Sequence, residues 1–69
     1  MENHVYKTID LVGSSKESIE DAVETALRRA NKTVNNMRWL EVTQTRAHIV
    51  DGKVDHWQVA FKLGFTLDD

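Results

Sequence analysis

A tryptophan stands at the start of a predicted strand, in the segment NNMRWLEV that spans residues 35–42. Trp39 is well suited to binding chemistry, because an indole offers a broad apolar surface on which a flat ring can stack. Arg38 and Glu41 lie beside it in the sequence. A soluble chain rarely leaves such a side chain uncovered, so we expect either another subunit or a flat ligand to cover Trp39. The sequence pattern alone leaves these two alternatives open.

Histidines, aspartates and serines are the other side chains that commonly do chemistry. Four of them lie close together in the sequence: His48, Asp51, Asp55 and His56. Alternation along a strand would point Asp55 and His56 to opposite faces, so no set of three metal ligands converges. Ser14 is better explained as a helix cap than as a nucleophile. We therefore expect neither a metal site nor catalysis. The competing hypothesis is a small enzyme in which His48 or His56 acts as a general base.

The charge balance and the absence of cysteine restrict the classes of function. Nine lysines and arginines against eleven aspartates and glutamates give a formal net charge of −2, which provides no electrostatic footprint for a nucleic-acid backbone. The sequence contains no cysteine, no apolar run of about 18 residues and no basic-then-apolar leader. These features favour a soluble, cytoplasmic protein that binds neither nucleic acid nor membrane.

The chain is short for a self-sufficient core. We interpret residues 1–69 as a single domain, because the sequence contains no repeat, no low-complexity tract and no proline. A chain of this length buries only about 60% of the surface that its unfolded form exposes. Neither a disulfide nor a tetrahedral zinc site is expected to stabilise it, so oligomerisation should supply the remaining burial.

The spacing of apolar residues predicts a strand followed by a long helix. Residues 4–12 alternate β-branched and aromatic residues with polar ones, as a half-buried strand does. Ser14 and Glu17 have the spacing of a capping box, which predicts that a helix starts there. Apolar residues spaced by threes and fours continue this helix from Lys16 to about Asn36, a length of roughly 30 Å.

A turn at Asp51-Gly52 predicts a hairpin of two long strands, because this pair tolerates the positive φ angles of a type I′ turn. Val50 then lies opposite Lys53, and this register decides which side chains share a face. The face toward the helix carries bulky apolar residues: Leu40, Val42, Val59, Phe61, Leu63, Phe65 and Leu67. The other face, which we call the open face, carries two opposing rows: Trp39, Glu41, Thr43, Thr45 and Ala47, and Gly64, Lys62, Ala60, Gln58 and His56.

Trp39 lies opposite Gly64 in this register, so no cross-strand side chain packs against its indole. A flat aromatic surface is therefore left for a ligand or for another copy of the chain. Trp57 alternates to the helix-facing side beside Arg46, where we expect it to pack with a cation–π contact.

Five segments carry a resemblance to a known family through their order and spacing. They are VGSSKES at the helix entry, ALRRANKTV at the helix end, NMRWLEV around Trp39, RAHIVDGKV at the turn and WQVAFKLGF around Gln58. Over nearly its whole length the chain resembles the dodecins of bacterial type, which are small flavin-binding proteins. The resemblance implies an α+β fold in which a three-stranded antiparallel sheet, in β-α-β-β order, wraps around one long helix. It also implies assembly as a hollow homododecamer.

The resemblance further implies a non-enzymatic protein that stores, buffers and photoprotects FMN or riboflavin. In dodecins the tryptophan matching Trp39 stacks on the isoalloxazine ring, and the glutamine matching Gln58 hydrogen-bonds the polar edge of that ring. In bacterial members an arginine matching Arg46 lies by the flavin and helps to hold the FMN phosphate. Position 66 is threonine, where some bacterial relatives carry an arginine that could meet a phosphate. Thr66 therefore weakens the expectation of a second anionic ligand.

Some relatives are associated with coenzyme A, and the basic residues Arg29, Lys32 and Arg38 could serve such a ligand. The alternative to flavin binding is a structural or interaction module whose open face only makes subunit contacts, with Trp39 at the interface.

Trp39 and Gln58 are too far apart to meet one ring within one subunit. In the predicted register Gln58 lies opposite Thr45, six residues from Trp39, which is about 20 Å along a strand. If both residues touch one flavin, they must come from different protomers. A two-fold contact would then supply two copies of each residue.

Overall fold

The computed structural model describes residues 3–67 and contains one helix packed on one face of a three-stranded antiparallel sheet. The elements follow one another as β1 (Tyr6–Ser15), α1 (Ile19–Ala30), β2 (Met37–Val50) and β3 (Lys53–Thr66). Strand β3 lies in the centre, between β1 and β2. This arrangement confirms the predicted α+β fold in β-α-β-β order. Within residues 3–67, no helix is long and apolar enough to cross a membrane.

The hairpin turn between β2 and β3 lies where the sequence predicts it. Asp51 has a φ angle of 53° and Gly52 one of 76°, both in the region that a type I′ turn requires. Val50 pairs with Lys53 next to the turn. The local chemistry of two residues therefore decided the position of this turn correctly.

The helix begins later than the sequence predicts, at Ile19 instead of directly after Ser14. Strand β1 continues through Ser15, because Ser14 and Ser15 pair with Gln58 and Trp57 of the long strand β3. The helix is capped by Ser18, whose hydroxyl oxygen accepts a hydrogen bond from the backbone N–H of Asp21 at 2.9 Å. The predicted capping box at Ser14 is wrong, since strand pairing supplies the hydrogen bonds that a helix start would have required.

The helix also ends earlier than predicted, at Ala30, so that its 12 residues span only about 18 Å. Asn31 is its C-terminal cap, and the backbone then makes single turns in which Thr33 and Val34 donate to the carbonyl of Ala30. Asn36 takes a positive φ angle of 63° and redirects the chain into β2. Asparagine and threonine are poor helix formers, which explains why the apolar spacing alone overestimated the length.

Three irregularities in the β2–β3 pairing change the predicted register, and they lie between Met37 and Trp39, between Val42 and Gln44, and between His48 and Ile49. From Trp39 opposite Gly64 to Val42 opposite Phe61 the pairing follows the prediction. Thr43 then has no partner, so Arg46 lies opposite Gln58 instead of beside Trp57. A one-residue bulge moves every later side chain to the other face. Beyond the bulge the open face carries Gln44, Arg46 and His48, and the placement of Thr45 and Ala47 on it was wrong.

The core lies between the helix and the two strands β1 and β3. Among residues 3–67, four hydrophobic side chains are fully buried, and they come from α1 and β3: Ala22, Val59, Phe61 and Leu63. At Gly13 of β1, a Cβ atom would lie 2.1 Å from the carbonyl oxygen of Ala22, so glycine allows the helix backbone to rest directly on the strand. Val42 and Leu67 were expected under the helix but are 46% and 50% exposed. The shorter helix leaves part of the sheet uncovered.

Candidate ligand-binding site

The open face is completed by strand β1, which the sequence analysis had not placed in register. Every second residue of β1 pairs with an open-face residue of β3 and shares its side: Tyr6, Thr8, Asp10, Val12 and Ser14. The face is thus a three-stranded surface with Trp39 toward one end and a polar group around Gln58 toward the other. Its exposed apolar side chains include Tyr6, Val12 and Trp39.

The indole of Trp39 lies flat on the backbone of Gly64. A Cβ atom built on Gly64 would lie 2.2 Å from Cε2 of Trp39 and 2.4 Å from Cζ2. Cε2 belongs to both fused rings, so another atom can come this close to it only from above or below the plane of the indole. Trp39 nevertheless remains 41% exposed. One surface of the ring is therefore supported by the sheet, and the side chain is still open to a ligand.

Tyr6 is a neighbour of Trp39 that the sequence analysis missed. Its ring centroid lies 6.3 Å from that of Trp39, and the two ring planes are inclined by 57°. Such tilted aromatic pairs are favourable, and this one places an exposed tyrosine of β1 next to the tryptophan of β2. The signal that could have found it is the alternation of β1, since Tyr6 pairs with Thr66 on the open face.

Gln58 and Arg46 lie side by side across the β2–β3 ladder, as a consequence of the bulge at Thr43. The Nη1 atom of Arg46 donates to Oε1 of Gln58 at 3.5 Å, and its Nη2 atom donates to the side-chain oxygen of Gln44. The amide nitrogen of Gln58 lies 3.2 Å from Nε2 of His56. The side chain of Gln58 is therefore held at both ends of its amide.

His56 is itself held by an acidic neighbour. Its Nδ1 atom lies 2.7 Å from Oδ2 of Asp55, and the other carboxylate oxygen lies 3.6 Å from Nζ of Lys16. The hydrogen bond from His56 is the main cause that lowers the pKa of Asp55, and the charge of Lys16 lowers it further. The expectation that Asp55 and His56 point apart was wrong, because Asp55 is the unpaired residue of the second bulge.

The imidazole ring of His48 stacks on that of His56, with the centroids 5.1 Å apart and the planes inclined by 22°. Within residues 3–67, no group of three or more histidine, aspartate or glutamate side chains is placed to hold a metal ion. Asp55 and His48 each contact His56, and His56 contacts the amide of Gln58.

The two ends of the open face are separate within one protomer. Gly64, which supports Trp39, and Gln58 are six residues apart on strand β3, or about 20 Å at the rise of a strand. The bulge in β2 leaves this separation unchanged, because it is measured on the unbulged part of β3. One isoalloxazine ring therefore cannot touch both Trp39 and Gln58 of the same protomer.

The basic residues near the helix end form two groups. Arg29 and Lys32 line a shallow depression together with Thr25 and Arg28. Arg38 lines a different one, which is mostly apolar and also includes Trp39. The expected cluster of Arg29, Lys32 and Arg38 is therefore divided between two depressions.

Comparison with known proteins identifies the family. The dodecin family model matches residues 5–68. The chain belongs to the dodecin family. A curated dodecin of Thermus thermophilus is 42% identical over 65 residues, which is 94% of each chain. The structure of dodecin from Streptomyces coelicolor is 46% identical, with a TM-score of 0.93 over 100% of this chain and 99% of that one. Dodecin from Streptomyces davaonensis is 41% identical with a TM-score of 0.93, covering 99% of this chain and 100% of that one.

Dodecins are known as flavin-binding proteins and are generally not enzymes. The resemblance inferred from the five sequence segments is thereby confirmed, and so is the three-stranded sheet with one helix that it implied. The open face of this dodecin, with its supported tryptophan at one end, is the surface on which a flat ring can be placed.

Proposed function

We propose that this dodecin is a non-enzymatic protein that stores, buffers and photoprotects FMN or riboflavin. The observation that carries the proposal is the indole of Trp39, which lies face-on over Gly64 while remaining 41% exposed. A ring held flat and rigid in this way loses little freedom when a second flat ring stacks on it, so stacking is favourable. Isoalloxazine is a flat ring system of the required kind.

The polar edge of the flavin is bound by the other end of the open face. Isoalloxazine carries alternating hydrogen-bond donors and acceptors, and the Gln58 amide can both donate and accept. Because Gln58 lies about 20 Å from Trp39 within one chain, it comes from a second protomer across a two-fold axis. Arg46 contacts Gln58 and supplies the positive charge that would hold the phosphate of FMN.

Storage and photoprotection follow from the same stack. An indole in contact with an excited isoalloxazine donates an electron to it, and the rapid return of that electron removes the excitation before the ring can react. The protein should therefore retain the bound flavin and quench its fluorescence.

The test is a fluorescence titration of FMN and riboflavin with the purified protein. Flavin emission should fall on binding, and Trp39→Ala should weaken binding by about 30-fold or more, as expected for a central aromatic contact. Trp57→Phe is the matched control, because Trp57 pairs with Ala47 away from the open face, and it should leave the titration unchanged. If flavin emission does not fall and no yellow colour is retained, flavin binding is excluded.

A second candidate function, an interaction module, is favoured by the apolar side chains that remain exposed. Besides Trp39, they include Ile49, Val50 and Val54 near the hairpin turn. In this alternative the open face makes subunit contacts only, with Trp39 as the central residue. Light scattering separates the two functions, since Trp39→Ala should leave the assembly intact under flavin binding but dissociate it under the alternative.

Coenzyme A is a further ligand for which Arg29 and Lys32 are the candidate residues, because they line one depression at the end of the helix. Mass spectrometry of the small molecules released from freshly purified protein distinguishes coenzyme A from FMN and riboflavin. The variant Arg29→Ala should remove coenzyme A from the released material without affecting flavin, since Arg29 is on the helix and not on the open face.

A further inference from the structure

The hydrogen bonds around Gln58 constrain one another. A guanidinium group can only donate, so the end of the Gln58 amide that faces Arg46 must be its oxygen. The other end, the NH₂ group, then faces Nε2 of His56 at 3.2 Å and requires an acceptor there. An imidazole that accepts at Nε2 carries its proton at Nδ1. That proton is donated to Oδ2 of Asp55 at 2.7 Å.

We propose that His56 is a positioning residue for flavin binding, which fixes the orientation of the Gln58 amide while it is neutral and releases that orientation when it is protonated. The proposal rests on the proposed function, because it concerns the group that binds the flavin edge. His56 does not itself need to touch the ligand. It acts through the amide that does.

Protonation reverses the role of Nε2 in His56. The imidazolium donates at both nitrogens, so two donors face each other across the contact with Gln58. A half-turn of the Gln58 amide removes this conflict but places its NH₂ group against Arg46, which also only donates. In either arrangement one end of the Gln58 amide faces a second donor. The amide is then no longer held in the orientation that it has beside neutral His56. The flavin edge then loses a matched hydrogen bond.

Four charged or titratable side chains surround His56: Asp55, Lys16, Arg46 and His48. Asp55 accepts from Nδ1, and Lys16 at the helix entry pairs with Asp55. Arg46 of β2 lies beyond Gln58, and the ring of His48 stacks on that of His56.

Riboflavin is the suitable probe, because it has no phosphate group that titrates in the same range or pairs with Arg46. For the wild-type protein we expect the dissociation constant for riboflavin to rise about fivefold between about pH 7.5 and about pH 5.5, the effect of losing roughly one hydrogen bond. His56→Gln should abolish this pH dependence, since a glutamine amide can still accept from Gln58 and does not titrate. His48→Gln is the matched control and should retain it.

The outcomes separate this proposal from the proposed function. If wild-type protein does not bind riboflavin at about pH 7.5, the proposed function fails and the role of His56 fails with it. If it binds but affinity is independent of pH, or falls equally in His56→Gln, only the role of His56 is overturned. Light scattering at both pH values provides the second measurement. Acid dissociation of the assembly in the wild type and His56→Gln alike would also overturn the proposal, because the loss would then not depend on His56.

Discussion

At the scale of single residues, the binding surface of Trp39 depends on the absence of a side chain at Gly64. The two residues face each other across the β2–β3 ladder, and the indole occupies the space that a Cβ atom at position 64 would fill. The ring of Tyr6 on β1 lies beside the indole, tilted by 57°. The orientation of the indole is therefore set by a glycine beneath it and an aromatic ring beside it, before any ligand binds.

This contact predicts a strong coupling between positions 39 and 64. Gly64→Ala should destabilise the protein by about 1–3 kcal/mol and displace the indole, because the new methyl group would overlap the ring. In the Trp39→Ala background the same substitution should cost close to nothing, since the ring is gone. Thermal unfolding of the four proteins measures the coupling. Equal costs of Gly64→Ala in both backgrounds would contradict a face-on contact between the two residues.

At the scale of elements, the bulge at Thr43 decides the composition of the polar end of the open face. Without this bulge and the one at Asp55, Arg46 would point to the helix side and Gln58 would lie opposite Thr45. With them, Arg46 faces Gln58, and the hydroxyl of Thr43 donates to the carbonyl of Ala60. The second bulge at Asp55 restores the original register before the turn and brings its carboxylate to His56.

The corrected helix start predicts which serine stabilises the helix. Ser18→Ala should lower the free energy of unfolding by about 1 kcal/mol, because it removes the acceptor for the backbone N–H of Asp21. Ser14→Ala should change it little, since Ser14 is an exposed strand residue opposite Gln58. Denaturant unfolding monitored by circular dichroism compares the two variants. A larger loss in Ser14→Ala would restore the capping box predicted from the sequence.

At the scale of the whole molecule, the protomer is more extended than a compact monomer of its size. Its radius of gyration is 14.4 Å, whereas a compact chain of 69 residues has one of about 11 Å. Its accessible surface of 5382 Å² exceeds the roughly 4,400 Å² expected for a folded monomer of this mass. Fully buried apolar side chains are few, and exposed ones lie at both ends of the hairpin. Contacts with other copies should supply the missing burial.

Native mass spectrometry or light scattering of flavin-free protein at micromolar concentration should therefore detect an oligomer, and we propose a homododecamer. Because flavin is proposed to bind between protomers, riboflavin at about 100 times its dissociation constant should stabilise the assembly by about 2.7 kcal/mol per site and raise its melting temperature. Trp39→Ala, the control, should form the same oligomer without that rise. A monodisperse monomer would contradict both the assembly and the site shared between protomers.

The sequence by itself determined the features that depend on neighbouring residues or on simple alternation. Asp51-Gly52 decided the turn, and counting outward from it placed Trp39 opposite Gly64, because the bulge at Asp55 and the bulge at Thr43 lie on opposite strands and their register shifts cancel before Trp39. The register was thus predicted correctly next to the turn and again from Trp39 to Val42, and the family resemblance predicts that this surface binds flavin.

The tertiary structure decided the rest. The helix is shorter than predicted at both ends. At its start, Ser14 and Ser15 pair with β3 and belong to β1, and at its end the spacing of apolar residues does not reveal the turns after Ala30. The bulges place Arg46 beside Gln58 and Asp55 beside His56. No local rule shows which residue of a strand will be left unpaired. Tyr6 reached Trp39 only through the register of β1 against a strand almost sixty residues away. Local chemistry therefore specified the turn, while long-range strand pairing assembled the surroundings of Trp39 and Gln58.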